Sequence, residues 1–298
     1  MAWPHTPSAS AEGDDAPRPS LRPAQKSDFS NLLDFTSTLT HVHRHLDWRD
    51  SLDWVGRQPF WLQEENGKIQ AALCCVPEPD TVAWVRMFAV AMQADPDRAW
   101  QNLFARCLDD LRQMHLLPAI VSLSLRQWYD DLLKRNGFQH HQDIVVFLYD
   151  KEPPPPPRID PRFHLREMQA GDMPGIQRID NIAFEPIWQL SAGDLTYAAK
   201  RSMFTTVIEQ DGEIVAYQMS SGSGLYAHLA RLAVRPDLQG QKLGYALVQH
   251  LLDHFINGRD YWGVTLNTQH NNTASLRLYH RIGFQETGEK FPVYIYPM

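Results

Sequence analysis

The chain has 298 residues, with 28 Lys and Arg against 35 Asp and Glu, a formal net charge of −7. A hydrophobic content of 43% supplies apolar material for two cores, while the negative balance and the lack of a long basic run exclude a nucleic-acid partner. No apolar run approaches the roughly 20 residues that span a bilayer, and the three cysteines suit a reducing compartment, so a cytoplasmic protein with no membrane partner is expected.

Residues 1–18 are rich in Ala, Ser, Pro and Asp, lack the apolar segment of a signal peptide, and predict a disordered tail. A first domain is expected over 19–150. Within it, His41-Val42-His43-Arg44-His45 reads as helical; only His41 and His45 would then share a side, so no metal site is expected. Cys74 and Cys75 lie on a predicted strand with side chains on opposite faces, and with Cys107 they read as buried thiols. Trp84, Trp100, Trp128 and Tyr129 read as core in preference to a substrate wall, and Asp109-Asp110, Asp130-Asp131 and His140-His141 as solvated surface. Lys151-Glu152, prolines 153–157 and Arg158 favour extended polyproline II, which places a semi-rigid linker at 151–160 and a second domain at 161–298.

The second domain repeats the first. Leu21-Arg22, Gln25 and Asp28 recur 144 residues later as Leu165-Arg166, Gln169 and Asp172, and Ala89-Val90 recurs at the same offset as Ala233-Val234. Asn66-Gly67-Lys68-Ile69 recurs as Asp211-Gly212-Glu213-Ile214, and Gly137-Phe138 as Gly283-Phe284, at offsets of 145 and 146. Markers at one nearly constant spacing make two copies of ordinary domain size.

The most specific chemistry lies in the second copy. Leu229 to Val234 reads as an apolar strand stopped by Arg235-Pro236-Asp237. Gln239-Gly240-Gln241-Lys242-Leu243-Gly244 then opens a helix with apolar Leu243, Ala246, Leu247, Leu251, Leu252 and Phe255 at helical spacing. A helix start with unpaired backbone N–H groups and a positive dipole end attracts phosphate. Trp262 to Thr268 reads as a further strand, Asn272-Thr273 as a helix start, and Gly283 as that helix's stop.

Together these segments resemble the GNAT acyltransferase superfamily, whose acetyl-CoA site pairs a V-x-P-x-x-[QR]-x-x-G-x-[GA] loop with a later N-x-x-A-x-x-L-Y-x-x-x-G-F segment. Val234, Pro236, Gln239 and Gly244 match the first motif; Asn272, Leu278, Tyr279, Gly283 and Phe284 match the second. Lys242 replaces the usual middle glycine and Ser275 the usual alanine. The resemblance implies an α/β (α+β) chain of two tandem GNAT-like domains, each a mixed, mostly antiparallel twisted sheet flanked by helices. The first copy is degenerate: Asp95-Pro96-Asp97-Arg98-Ala99-Trp100 stands where 239–244 would be, and its carboxylates repel pyrophosphate.

By the same resemblance, acetyl-CoA is the cofactor, with no metal. Leu232, Ala233, Val234, Gln239, Gly240, Gln241, Lys242, Leu243, Gly244, Tyr245, Asn272, Ser275 and Tyr279 would hold it, a backbone N–H of Leu232 to Val234 would polarise the thioester carbonyl, and Tyr279 would be the general acid. A phenol of pKa about 10 is protonated at neutral pH. His228, on the carbonyl-donor strand, is the leading general base; Glu185, Glu209 and a water relay are alternatives. Phe184, Trp188, Arg231 and Asn267 are expected at the substrate pocket; Phe184, Trp188 and Tyr217 form an apolar wall there or belong to the ordinary core. Strand alternation points Arg231 away from His228, to bind a substrate carboxylate or form a surface ion pair. The expected activity is direct acetyl transfer to the primary amine of a small molecule by a monomer or homodimer. The alternatives are a protein N-terminal or lysine acetyltransferase and a non-enzymatic acyl-CoA sensor.

Overall fold

The computed structural model describes residues 19–38, 41–258 and 261–297; the tail expected at 1–18 lies outside them. The first half contains β1 (Ser20–Pro23), α1 (Phe29–Thr38), β2 (His41–Arg44), β3 (Phe60–Glu65), β4 (Lys68–Cys74), β5 (Val82–Trp84), β6 (Met87–Val90), α2 (Pro96–Gln113), β7 (Ala119–Leu123), α3 (Gln127–Arg135) and β8 (Gln139–Tyr149). The second contains β9 (His164–Glu167), α4 (Met173–Ala183), α5 (Ala192–Arg201), β10 (Phe204–Gln210), β11 (Glu213–Ser223), β12 (Tyr226–Val234), α6 (Leu243–Leu252), β13 (Gly263–Gln269), α7 (Thr273–Ile282) and β14 (Gln285–Tyr296).

The repeat seen in the sequence is a repeat of interactions. Arg22 pairs with Asp28 at 2.7 Å and Glu64 at 2.6 Å, and Arg166 pairs with Asp172 at 2.7 Å and Glu209 at 2.9 Å. Gln25 with Asp28, and Gln169 with Asp172, form matching capping boxes that start the first helix of each half. Asn66-Gly67 and Asp211-Gly212 all have positive φ, the two-residue turn that joins right-twisted antiparallel strands.

The strands form two mostly antiparallel sheets, ordered β1-β3-β4-β6-β2 and β5-β7-β14-β8-β13-β12-β11-β10-β9. In the larger sheet the halves exchange their last strands. β8 pairs with β13 from Tyr149↔Val264 to Ile144↔Gln269, while β14 pairs with β7 from Val293↔Leu123 to Tyr296↔Ile120 and with β8 along its length. Gly263 permits this approach, since a Cβ there would lie 2.3 Å from the Tyr149 carbonyl oxygen.

Helices cover both faces of the second half. Ile176 and Ile179 of α4 and Leu195 of α5 pack with Tyr217, Met219 and Ala233 on one face; Leu251 and Leu252 of α6 and Tyr279 and Ile282 of α7 pack with Leu229, Val264 and Leu266 on the other. In the first half, Cys74 and Cys75 are buried in separate clusters, as strand alternation requires, and Cys107 shares the cluster of Cys75.

The histidine run departs from the helix expected for it. β2 is a strand paired antiparallel with β6, from His41↔Val90 to Arg44↔Met87, so His41, His43 and His45 share a side. Each meets an aromatic ring: Trp128 at 5.1 Å, Tyr129 at 3.9 Å and Trp84 at 4.5 Å. Tertiary pairing and ring stacking override the i, i+4 helical reading. Among the described residues, no group of three or more His, Cys, Asp or Glu is placed to hold a metal ion. Asp130 also departs from its surface reading: it is buried and accepts a hydrogen bond from the Tyr294 hydroxyl.

Candidate functional site

β12 and β13 run parallel and pair only from Tyr226↔Gly263 to Leu229↔Leu266; beyond that point they separate. A bulge at Ala230 causes the divergence, because Ser220 and Met219 of β11 face Leu229 and Arg231 in turn, leaving Ala230 without an opposite residue. The Arg235 N–H donates to the Val215 carbonyl at 2.9 Å. Antiparallel alternation therefore turns the backbone groups of Arg231 and Ala233 towards β11 and those of Leu232 and Val234 into the gap. This gap is the floor of a cleft of about 1550 Å³, larger than the roughly 300–1,000 Å³ of a single small-ligand pocket.

At one end lies the start of α6. Its first internal hydrogen bond runs from the Ala246 N–H to the Lys242 carbonyl at 2.9 Å, so the N–H groups of Leu243, Gly244 and Tyr245 have no partner within the helix. Lys242 adopts φ +65°, the left-handed conformation that explains a glycine preference here. Gly244 brings α6 close to its neighbours: a Cβ would stand 3.2 Å from Leu278 and 3.6 Å from Val234. Lys242, Arg277 and Arg281 line this end, and none has an ion-pair partner among the described residues. Unpaired cations beside free N–H groups suit a polyphosphate.

Midway, His228, Tyr279, Asn267 and Ser275 face the cleft. His228 Nδ1 lies 2.9 Å from Thr265 Oγ1, and that hydroxyl donates its one proton to the Ala227 carbonyl at 3.2 Å. The tautomer with its proton on Nδ1 satisfies both contacts and keeps the Nε2 lone pair for a ligand. Burial lowers its pKa, so the imidazole is neutral at pH 7. Burial raises the pKa of Tyr279, outweighing a hydrogen bond with Ser275, and the phenol holds its proton. Asn272 caps α7 by accepting from the Ser275 N–H at 3.1 Å.

The other end is built by both halves. Phe184, Ile187 and Trp188 face His45, Asp47, Trp48, Glu78, Trp84 and Arg86. Trp84 donates to the Ile187 carbonyl at 3.1 Å and its ring lies 5.1 Å from that of Trp188. The Arg86 guanidinium sits 4.0 Å over Trp54 and forms an ion pair with Asp47.

The residues expected to hold the cofactor, all except Gln241, line this one cleft together with Tyr279, His228, Phe184, Trp188, Arg231 and Asn267, whereas Tyr217, Glu185 and Glu209 do not. Four features of the site differ from the sequence expectations or decide between them. The bulge puts His228 and Arg231 on the same side of β12, since their partners Ser221 and Met219 share a face. Arg231 is not a surface ion pair; its side chain is only 10% exposed, bonded to the buried Asp180, to the Tyr217 hydroxyl at 3.2 Å and to the Trp188 carbonyl at 2.7 Å, and it stacks over Phe184 at 3.8 Å. Of the two readings open for Tyr217 the core one holds, since it is fully buried against Asp180, while Trp84 lines the cleft. Glu209 is held by Arg166 and, like Glu185, lies outside the cleft lining. Arg277, Arg281, Asp47, Trp48, Glu78 and Arg86 have no counterpart in the sequence expectations, and Trp84, expected in the core in preference to a substrate wall, lines the cleft. Arg277 and Arg281 sit at helical spacing beside Tyr279, a signal within reach; His45, Glu78 and Trp84 have no local signal.

The first half has the same strand geometry with the gap filled. β5 pairs parallel with β7 from Val82↔Ala119 to Trp84↔Val121, as β12 pairs with β13, and β6 continues as the counterpart of 231–234. Here β2 pairs along the free edge of β6, and His43 Nε2 reaches the Val85 carbonyl at 3.1 Å. The counterpart of the α6 start is capped by Asp95, which accepts from the Asp97 N–H at 3.0 Å, and Trp100 is fully buried where Gly244 has its counterpart.

Residues 173–284 match the model of the acetyltransferase (GNAT) family. The ribosomal protein bS18 alanine N-acetyltransferase of Escherichia coli (strain K12) is 27% identical over 124 residues, 41% of this chain and 80% of that protein. A peptidyl-lysine N-acetyltransferase of Salmonella typhimurium is 31% identical over 86 residues, 29% of this chain and 52% of that protein. Two solved structures share the fold of nearly the whole chain. A tandem GNAT protein from the clavulanic acid biosynthesis pathway has a TM-score of 0.65 and 13% identity, covering 93% of this chain and 98% of that one. A GCN5-related N-acetyltransferase from Sphaerobacter thermophilus has a TM-score of 0.63 and 16% identity, covering 94% and 96%.

Proposed function

From a chain whose second half belongs to the GNAT acetyltransferases and whose first half repeats its fold, we propose an N-acetyltransferase that moves the acetyl group of acetyl-CoA directly to the primary amine of a small molecule. The observation that carries the reading is the cleft itself, which joins a phosphate-binding helix start, an open strand edge and a two-sided aromatic pocket. The donor set fits the cofactor: three unpaired cations and the free N–H groups of α6 suit its phosphates, and the Leu232 and Val234 backbone suits its amide-bearing pantetheine arm.

Acetyl-CoA, when bound, supplies an acyl carbon activated as a thioester. The Val234 N–H donates into the gap towards the carbonyl oxygen, where it stabilises developing negative charge. His228 Nε2 accepts the proton that an ammonium must lose before its nitrogen can attack. The Tyr279 hydroxyl gives its proton to the departing thiolate, and burial keeps that proton in place until needed.

The two curated relatives named above match 41% and 29% of this chain, and the acceptors in their names are a protein alanine and peptidyl lysine. Here residues of the first half wall the acceptor end, which favours a small amine over a folded protein. The test is thiol release from acetyl-CoA with a panel of small amines and with peptides. We expect amine-dependent release, reduced about 100-fold or more in His228→Gln; acetyl-CoA binding without release for any acceptor would leave a sensor.

A further inference from the structure

The linker does more than join the halves. At its start the Tyr149 hydroxyl donates to the Glu152 carbonyl at 2.6 Å, and the Tyr149 ring lies 5.1 Å from Phe284, just beyond the C-terminal end of α7. At its end Ile159 packs with Leu238, Leu243 and Leu247 around the start of α6. The chain between these anchors therefore runs from the end of α7 to the start of α6. Pro155, Pro156 and Pro157 accordingly line the same cleft as Gly244, Arg277 and Arg281, and Pro155 and Pro156 present exposed rings.

A polyproline segment suits a planar ligand. Its rings are apolar, it has no N–H to be left unpaired, and its fixed backbone loses little entropy on binding. The neighbouring cations add charge: Arg277 and Arg281 are exposed, without ion-pair partners among the described residues, and four residues apart on one face of α7.

We propose that prolines 155–157 form the outer wall for the adenosine of coenzyme A, and that Arg277 and Arg281 recognise its 3′-phosphate. The inference rests on the acetyl-CoA reading above and assigns part of that ligand's site to the segment between the repeats. Adenosine would then be sandwiched between the linker and α7, so an element of tandem architecture would set cofactor affinity.

The experiment is calorimetric titration of the full chain with coenzyme A, dephospho-coenzyme A, which lacks the 3′-phosphate, and 4′-phosphopantetheine, which lacks the nucleotide. In a chain carrying Pro155→Ser, Pro156→Ser and Pro157→Ser, loss of roughly 40 Å² of apolar contact should weaken coenzyme A and dephospho-coenzyme A alike by about fivefold and leave 4′-phosphopantetheine unchanged. Arg277→Gln with Arg281→Gln, changes on an exposed helix face, should weaken coenzyme A about tenfold and dephospho-coenzyme A little. Equal affinity of the wild-type chain for coenzyme A and 4′-phosphopantetheine, or serine variants that bind coenzyme A as tightly as wild type, would overturn the assignment while leaving the acetyl-CoA reading intact. No binding of coenzyme A or 4′-phosphopantetheine to the wild-type chain would remove both.

Discussion

At the scale of single residues, Lys242 carries two opposed effects. A side chain at φ +65° costs about 1 kcal/mol relative to glycine, and its cation faces the phosphate end of the cleft. Lys242→Gly should therefore raise the unfolding free energy by up to about 1 kcal/mol while weakening acetyl-CoA several-fold. Urea unfolding and calorimetry would check both, and a gain in affinity would contradict the role given to the charge. Tyr279→Phe removes a proton without removing a ring, so turnover should fall about 100-fold with acetyl-CoA affinity nearly unchanged; undiminished turnover would dismiss the phenol as acid. The buried histidines give a pH dependence of definite sign. Burial lowers His43 and His45 to about 3, with Arg86 contributing at His45, and also lowers His228. The unfolded chain takes up these protons near pH 6.5 and the folded chain resists them. Stability should thus be complete above pH 6.5 and fall towards pH 3, for His43 by roughly 1.4 kcal/mol per pH unit. A urea midpoint constant from pH 7 to pH 4 would refute this.

The phosphate loop and the Asn272 to Phe284 segment were legible in the sequence because their chemistry is local: each motif lies within one strand–loop–helix or helix–turn. Trp84 was not, since its hydrogen-bond partner is 103 residues away, and Arg231 was misread because a bulge alters alternation without any signature in residue type.

At the scale of elements, β2 decides what the first half can hold. It occupies the strand edge that in the second half remains open, and it satisfies backbone groups there permanently. The helix start beside it is already capped by Asp95. One acetyl-CoA should bind per chain, and Gly240→Asp, which sets a carboxylate beside the α6 N–H groups, should abolish it. Calorimetric stoichiometry would report either result, and two sites per chain would show that β2 yields to the ligand. The segment following β2 also reaches the second half, where Arg49 pairs with Asp194 at 2.6 Å and Asp53 accepts from the Tyr197 hydroxyl at 2.9 Å. A plug at one end thus becomes a wall at the other. The helical reading of this segment failed because its pattern is short and its strand character comes from β6, about 45 residues further along the chain.

At the scale of the molecule, repetition in sequence does not produce independence in structure. With β8 bonded to β13 and β14 bonded to β7, neither half has a complete sheet of its own. Calorimetric unfolding should show one transition with matching calorimetric and van't Hoff enthalpies, and a fragment of residues 161–298 should fail to fold alone because the β13 edge loses β8. Two separated transitions, or a folded fragment, would contradict the exchange.

The exchanged strands also constrain how the protein is made. Synthesis proceeds from the N-terminus, yet the strand that completes the first half, β14, begins at Gln285, so that half waits with β7 exposed until the second half has been made. The nascent chain must keep an open sheet edge from joining its neighbours while the second half is synthesised, and the arrival of β14 closes both halves at once.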